Sequence, residues 1–287
     1  MTTQTDQFDM KAAPMRIGTV RLKVRDLDAV SRFYQTVMGL TPLPADGPGV
    51  TLGTGTLRLL HLDAAPDADA ADRRQAGLFH TAFLLPSRAE LARWLAHAAE
   101  ARVALQGASD HSVSEAIYLA DPEGNGIEVY ADRPPQRWRD EAGEVHMTTE
   151  PLDLQDLLKA AGTTPWAGYP DDGVIGHVHL QVGDTAEADR FYGGILGLDI
   201  AARYPGASFY GSGGYHHQLA GNVWSSRGAG VRPEGMAGLD AVELVLRDPG
   251  TADAITSRAN DAGIAVETTD TALTLRDPWG TRITLRQ

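Results

Sequence analysis

Apolar and polar residues alternate along short runs of this chain, and each run gives way to a helical period. Residues 17–24 read IGTVRLKV, the mark of a half-buried strand. A helix is predicted next, carrying Phe33-Tyr34 and closed by Gly39. The same order returns at residues 175–198, IGHVHLQVGDTAEADRFYGGILGL, which align without a gap with residues 17–40. Gly18 matches Gly176, Phe33-Tyr34 matches Phe191-Tyr192, and Gly39-Leu40 matches Gly197-Leu198. In the second copy Asp184 and Glu187 have the spacing of a capping box. Further strands follow each copy, VTLGTGTLRLLHL and ASFYGSGGYHHQLAG.

A weaker pair lies between and after these. Residues 78–103 predict a strand, a Ser87-x-x-Glu90 capping box and a helix, and their module finishes with AIYLADPEGNGIEVYAD (116–132); residues 239–266 predict a strand and a helix in the same order, and their module finishes with TALTLRDPWGTRITLRQ (271–287). Asp121-Pro122-x-Gly124 matches Asp277-Pro278-x-Gly280. The repeats define four strand–helix–strands modules, near 17–62, 78–131, 174–222 and 238–287. Residues 1–16 read as a loose tail, and 132–173 as a linker with a short helix in PLDLQDLLKAAG. One module leaves a sheet face bare, so modules should pair.

Composition narrows the chemistry. The 287 residues suffice for two ordinary domains. A net charge of −13 disfavours nucleic acid and anionic membranes as partners. With no cysteine, disulfides, thiolate metal sites and thiol nucleophiles are excluded, so a metal must sit on His, Asp, Glu or backbone oxygen. No apolar run is long enough for a membrane span and the N-terminus has no signal-like apolar region, which gives the expectation of a cytoplasmic enzyme.

Four βαβββ modules resemble the vicinal oxygen chelate superfamily, which includes glyoxalases, thiol transferases, bleomycin-binding proteins and extradiol dioxygenases; the resemblance covers nearly the whole chain. It implies an α+β fold in which the modules form two barrels. In sequence order it divides the chain into domains at 17–131 (modules one and two) and 174–287 (modules three and four). Superfamily metal ligands come from the first and last strands of modules. By alignment the first-strand positions are Thr19, His80, His177 and Ala241, and the last-strand positions are Glu128 and Thr284. Modules two and three alone supply ligand types, so the resemblance implies a shared functional barrel with His80, His177 and Glu128 as metal ligands. The commonest extradiol enzymes use modules three and four instead. Two imidazoles and a carboxylate make the facial triad of non-haem Fe(II) oxygenases. His179, two residues beyond His177 on the same strand face, is the alternative ligand.

Residues 109–128, SDHSVSEAIYLADPEGNGIE, resemble the extradiol dioxygenase signature in His111, Tyr118, the Asp-Pro-x-Gly turn and Glu128. Ser109 stands where the family usually has another small or an apolar residue. The resemblance gives Tyr118 a hydrogen bond to substrate oxygen and places His111 on the substrate side. In GGYHHQLAG (213–221), His216 and His217 are predicted on opposite faces of a strand, with His217 about where Glu128 falls in module two. His217 is the expected acid–base residue and His216 its substitute. His61, His97 and His146 have no such context.

The implied function is extradiol, catechol 2,3-dioxygenase-type cleavage of a catechol by O₂ in aromatic catabolism. Fe(II) is the expected cofactor, and Mn(II) suits the same ligands. The expected partners are a small catechol-type substrate and O₂, with a homo-oligomer as the superfamily expectation. The competing readings are a glyoxalase-like isomerase or thiol transferase, and a non-catalytic aromatic-ligand binding protein.

Overall fold

The computed structural model describes residues 7–45, 47–269 and 272–287. Module one is β1 (Met15–Val24), α1 (Leu27–Thr36), β2 (Thr41–Leu43), β3 (Val50–Thr54) and β4 (Leu57–Ala64). Module two is β5 (Gly77–Leu84), α2 (Arg88–Glu100), β6 (Gly107–Asp110), β7 (Ser114–Ala120) and β8 (Gly126–Asp132). The linker holds β9 (Glu150–Pro151) and α3 (Leu154–Lys159). Module three is β10 (Val174–Gln181), α4 (Thr185–Ala188), β11 (Asp199–Tyr204), β12 (Ala207–Gly211) and β13 (Leu219–Asn222). Module four is β14 (Gly238–Leu246), α5 (Pro249–Asp261), β15 (Val266–Thr268), β16 (Leu273–Arg276) and β17 (Arg282–Arg286). Both expected cap residues act: Ser87 Oγ accepts from Glu90 N–H and Asp184 Oδ1 from Glu187 N–H.

Among the described residues the strands form two sheets. Modules four and one make β15-β16-β17-β14-β1-β4-β3-β2. Modules three and two make β11-β12-β13-β10-β5-β8-β7-β6, with β9 added at the edge. The seams are antiparallel, β1 against β14 and β5 against β10. Each sheet therefore takes one module from each half of the chain.

Strand alternation sorts the faces. In β8, Ile127 and Val129 join the main core, while Glu128, Tyr130 and Asp132 point the other way. That core draws Val20, Leu22 and Leu60 from the first sheet, Phe83 and Val178 from the second, and Tyr34 and Trp94 from the helices. The repeated Phe-Tyr pair and the repeated Asp-Pro turn meet across it. Tyr192 Oη donates to Asp277 Oδ2 at 2.7 Å, and the Tyr34 hydroxyl sits against Asp121. Modules adjacent in sequence are thus locked together by buried tyrosines, although their strands belong to different sheets.

Three expectations need correction. Residues 7–14 are not loose: Met10 and Ala13 are buried with Trp138, Val174 and Tyr215, and Phe8 stacks near Trp138 and Tyr215. Burial of these apolar residues holds the segment down; residues 1–6 lie outside the described residues. In module three the Phe-Tyr pair sits on π-helical turns, Asp189–Ile195, rather than on a regular α-helix. Gly193-Gly194 replaces Gln35-Thr36 of module one there, and glycine tolerates the wider turn. Finally, His216 and His217 lie in a loop before β13, not on a strand. The positive φ of Gly213 and Gly214 turns the chain, and buried Tyr215 anchors it. No helix among the described residues is long and apolar enough to cross a membrane.

Candidate metal centre

His80 on β5, Glu128 on β8 and His177 on β10 come from three adjacent strands of the second sheet, and all three are buried. His80 Nε2 lies 3.2 Å from His177 Nε2, and Glu128 Oε2 lies 3.0 Å from the first and 3.4 Å from the second. Atoms that share one ion at about 2.1 Å and right angles stand about 3 Å apart. The donor set and its mutual spacing fit a single divalent cation. Among the described residues this is a group of His, Asp and Glu able to hold one.

Electrostatics suit the same use. Burial lowers the His177 pKa to about 4, which leaves the imidazole neutral with a lone pair to offer. Burial alone would raise Glu128, but the facing His177 and His80 rings outweigh it and hold the carboxyl well below its usual range. His177 Nδ1 is buried without a partner, so the ring is held by its neighbours, His217 at 4.1 Å and Tyr130 at 5.0 Å between centroids. Gly176 permits this packing: a Cβ there would fall 1.8 Å from Tyr130 Oη.

His179 does not join the group. Its ring stands beside His80, 5.0 Å between centroids, and its Nε2 is buried without a partner. Burial, reinforced by the neighbouring imidazoles, lowers its pKa well below the ordinary value.

The triad opens into a cavity of about 540 Å³, which His111, Tyr118, His179 and His217 also line. Tyr118 and Glu128 are direct cross-strand partners. His111 Nδ1 donates to Thr148 O at 2.7 Å, which leaves Nε2 to accept the Tyr118 hydroxyl at 2.5 Å. Burial, then the Glu128 charge, pushes the Tyr118 phenol well above its usual pKa, so it remains a hydrogen-bond donor.

On the opposite side His217 Nδ1 meets His216 Nδ1 at 2.9 Å, and His216 Nε2 donates to Asp132 Oδ1 at 2.8 Å. With that proton on His216 Nε2, neutral His216 accepts from His217 Nδ1–H, which leaves the lone pair on His217 Nε2. Burial, with His177 and the other imidazoles, holds the His217 pKa well below its ordinary value. His217 lines the cavity, whereas His216 is fully buried behind it. The expected match of His217 with Glu128 does not hold. Ala82 pairs with Glu128 and His179 with Ala220, so the counterpart of Glu128 is Ala220, three residues beyond His217.

Sequence reasoning missed Asp132 and the linker. Asp132 ends the series Glu128, Tyr130, Asp132 on one strand face, a period-two signal that was present. The linker forms a cavity wall through Val145, Met147 and Thr148, and its exposed His146 also lines the space. Irregular backbone carries no such period.

Comparison with known proteins agrees with this architecture. The family model for the Glyoxalase/Bleomycin resistance protein/Dioxygenase superfamily matches residues 16–129 and 174–285. A Bacillus subtilis (strain 168) protein named catechol-2,3-dioxygenase is 41% identical over 267 residues, covering 91% of this chain and 93% of the relative. A putative dioxygenase of known structure from Bacillus subtilis aligns with a TM-score of 0.62 at 16% identity, over 96% of this chain and 85% of that one. Glyoxalase I from Zea mays aligns at 0.59 and 17%, over 97% and 94%, which again shows the fold. The chain belongs to the glyoxalase/bleomycin resistance/dioxygenase superfamily.

Proposed function

We propose that this protein is an extradiol ring-cleaving dioxygenase that inserts O₂ beside the diol of a catechol, with one Fe(II) or Mn(II) held by His80, His177 and Glu128. The observation that carries this reading is the convergence of their three donor atoms at a cavity flanked by a phenol on one side and a relayed imidazole on the other. The name of the Bacillus relative supports it.

The metal, when bound, would relay electrons between a catecholate and O₂ and leave coordination positions open for both. His217 Nε2 is the base that takes a catechol hydroxyl proton and later returns it. Asp132 and His216 hold that ring in the tautomer with a free Nε2, and Asp132 offsets the positive charge as it forms. In the resting site the single Tyr118 O–H is held by His111 Nε2; with substrate bound it turns from that nitrogen to donate to oxygen that gains negative charge. Burial of His80, Glu128, His177 and His217 strengthens these interactions.

The test is anaerobic loading with Fe(II), then catechol and air. O₂ uptake matched by a yellow ring-opened product is expected. Full metal occupancy with no O₂ uptake across a panel of catechols overturns the reading.

A further inference from the structure

The hydrogen-bond chain behind His217 does not end in the protein interior. His217 lines the metal cavity, its Nδ1 meets His216 Nδ1 at 2.9 Å, and His216 Nε2 donates to Asp132 Oδ1 at 2.8 Å. The side chain of His216 is 0% exposed, whereas that of Asp132 is 10% exposed. Asp132 lines a second cavity, of about 370 Å³. Residues 7–11 of the N-terminal segment form one wall of it, with residues 84–86 at the end of β5 and Asp172 and Val174 at the start of β10. No residue lines both cavities, so the chain of bonds crosses the wall between them.

Packing seals the middle of this crossing. The His216 ring lies 4.0 Å from Tyr215 and 4.9 Å from Trp138 between centroids, and Phe8 packs against both of those rings. Asp132 Oδ1 takes the bond from His216 and a longer one, 3.3 Å, from Tyr215 Oη. Its Oδ2 is left to bond water in the second cavity. A carboxylate that only orients a ring has no need of an opening of its own; this one joins a sealed imidazole pair to a separate mouth. Every link is within hydrogen-bond distance, and each of the three side chains can both accept and give up a proton.

We propose that Asp132 is the outer end of a proton path between the metal cavity and solvent, with the N-terminal segment walling its mouth. The inference rests on the catechol reading above for the source of the proton. A catechol that binds as its anion gives a hydroxyl proton to His217 Nε2. The His217 Nδ1 proton passes to His216 Nδ1, the His216 Nε2 proton to Asp132, and the Asp132 proton to water in the second cavity. When His217 returns its proton to the substrate, the same transfers run inward and both rings recover their starting tautomers. No proton is gained or lost over the round trip. Asp132 is then a positioning residue that also conducts.

Two measurements test the path. The first needs no catechol: NMR of protein with isotopically labelled histidine, loaded with diamagnetic Zn(II), follows exchange of the His216 Nε2 proton with water. That proton should exchange readily despite its burial, and about 10²-fold more slowly in D132N, which keeps an acceptor for the bond but takes up no proton. D132E should recover part of the rate. Equal exchange in wild type and D132N overturns the path. The second follows anaerobic catechol binding to the Fe(II)-loaded protein by fluorescence, with an indicator dye in weak buffer reporting protons in solution. In the wild type a proton should reach solvent as catechol binds, and in D132N its release should lag about 10²-fold behind binding. Binding that releases no proton, or a D132N variant that slows binding and release together, overturns the path and leaves Asp132 the orienting role alone. Asp132-dependent exchange in a protein that binds no catechol leaves the path standing and overturns the catechol reading.

Discussion

At the scale of single residues, position in a hydrogen-bond chain separates histidines that look alike in sequence. His216 and His217 are neighbours, yet one is walled in by Tyr215 and Trp138 and bonded to Asp132, while the other faces the cavity. The H217A variant should therefore keep its metal and lose about 10²–10⁴-fold in kcat, the span of a general base. D132N should keep its metal and lose less, since the imidazoles remain but their tautomer is no longer enforced. Elemental analysis beside steady-state kinetics checks both. Full activity in H217A, or metal loss in either variant, contradicts the assignment.

At the scale of elements, a glycine of the first-strand repeat has a definite task. Gly176 on β10 leaves room for the Tyr130 side chain of β8 to reach across the intervening β5. The G176A variant should lose about 1–3 kcal/mol through overpacking, read from urea denaturation of the metal-free protein. An unchanged midpoint would mean that the space left for Tyr130 is not required. Strand-borne features of this kind were legible in the sequence. The repeats put His80 opposite His177 on first strands, the resemblance to the vicinal oxygen chelate superfamily added Glu128 from the last strand of module two, and the three residues do converge. What was not legible arises where the chain leaves regular structure. The His216-His217 loop depends on Gly213 and Gly214, and the linker wall on irregular backbone. The Asp132–His216 bond joins residues 84 apart, a separation that no local pattern reports.

At the scale of the whole molecule, sequence-adjacent modules are locked by buried tyrosine–aspartate contacts, whereas sheets form between modules of different halves. The site at one seam therefore depends on both halves of the chain. It also buries His177, His179 and His217 as neutral rings, with pKa values lowered chiefly by burial. The unfolded chain takes up protons on these residues as pH falls through about 6.5, whereas folded His177 does so only near 4. Lowering the pH through that window favours the unfolded state, and above it these groups have no effect. The thermal midpoint of the metal-free protein should fall as pH drops from about 7 to about 5. A flat midpoint would mean that the three rings are not buried neutral.

His80, His177 and Glu128 are proposed to hold one catalytic divalent ion at the seam of modules two and three. The most direct measurement is anaerobic calorimetric titration of Fe(II) into wild-type and E128A protein. One tight site per chain is expected in the wild type, with loss of tight binding in a folded E128A variant. Unchanged affinity in E128A, or a wild type that binds no ion, would contradict it.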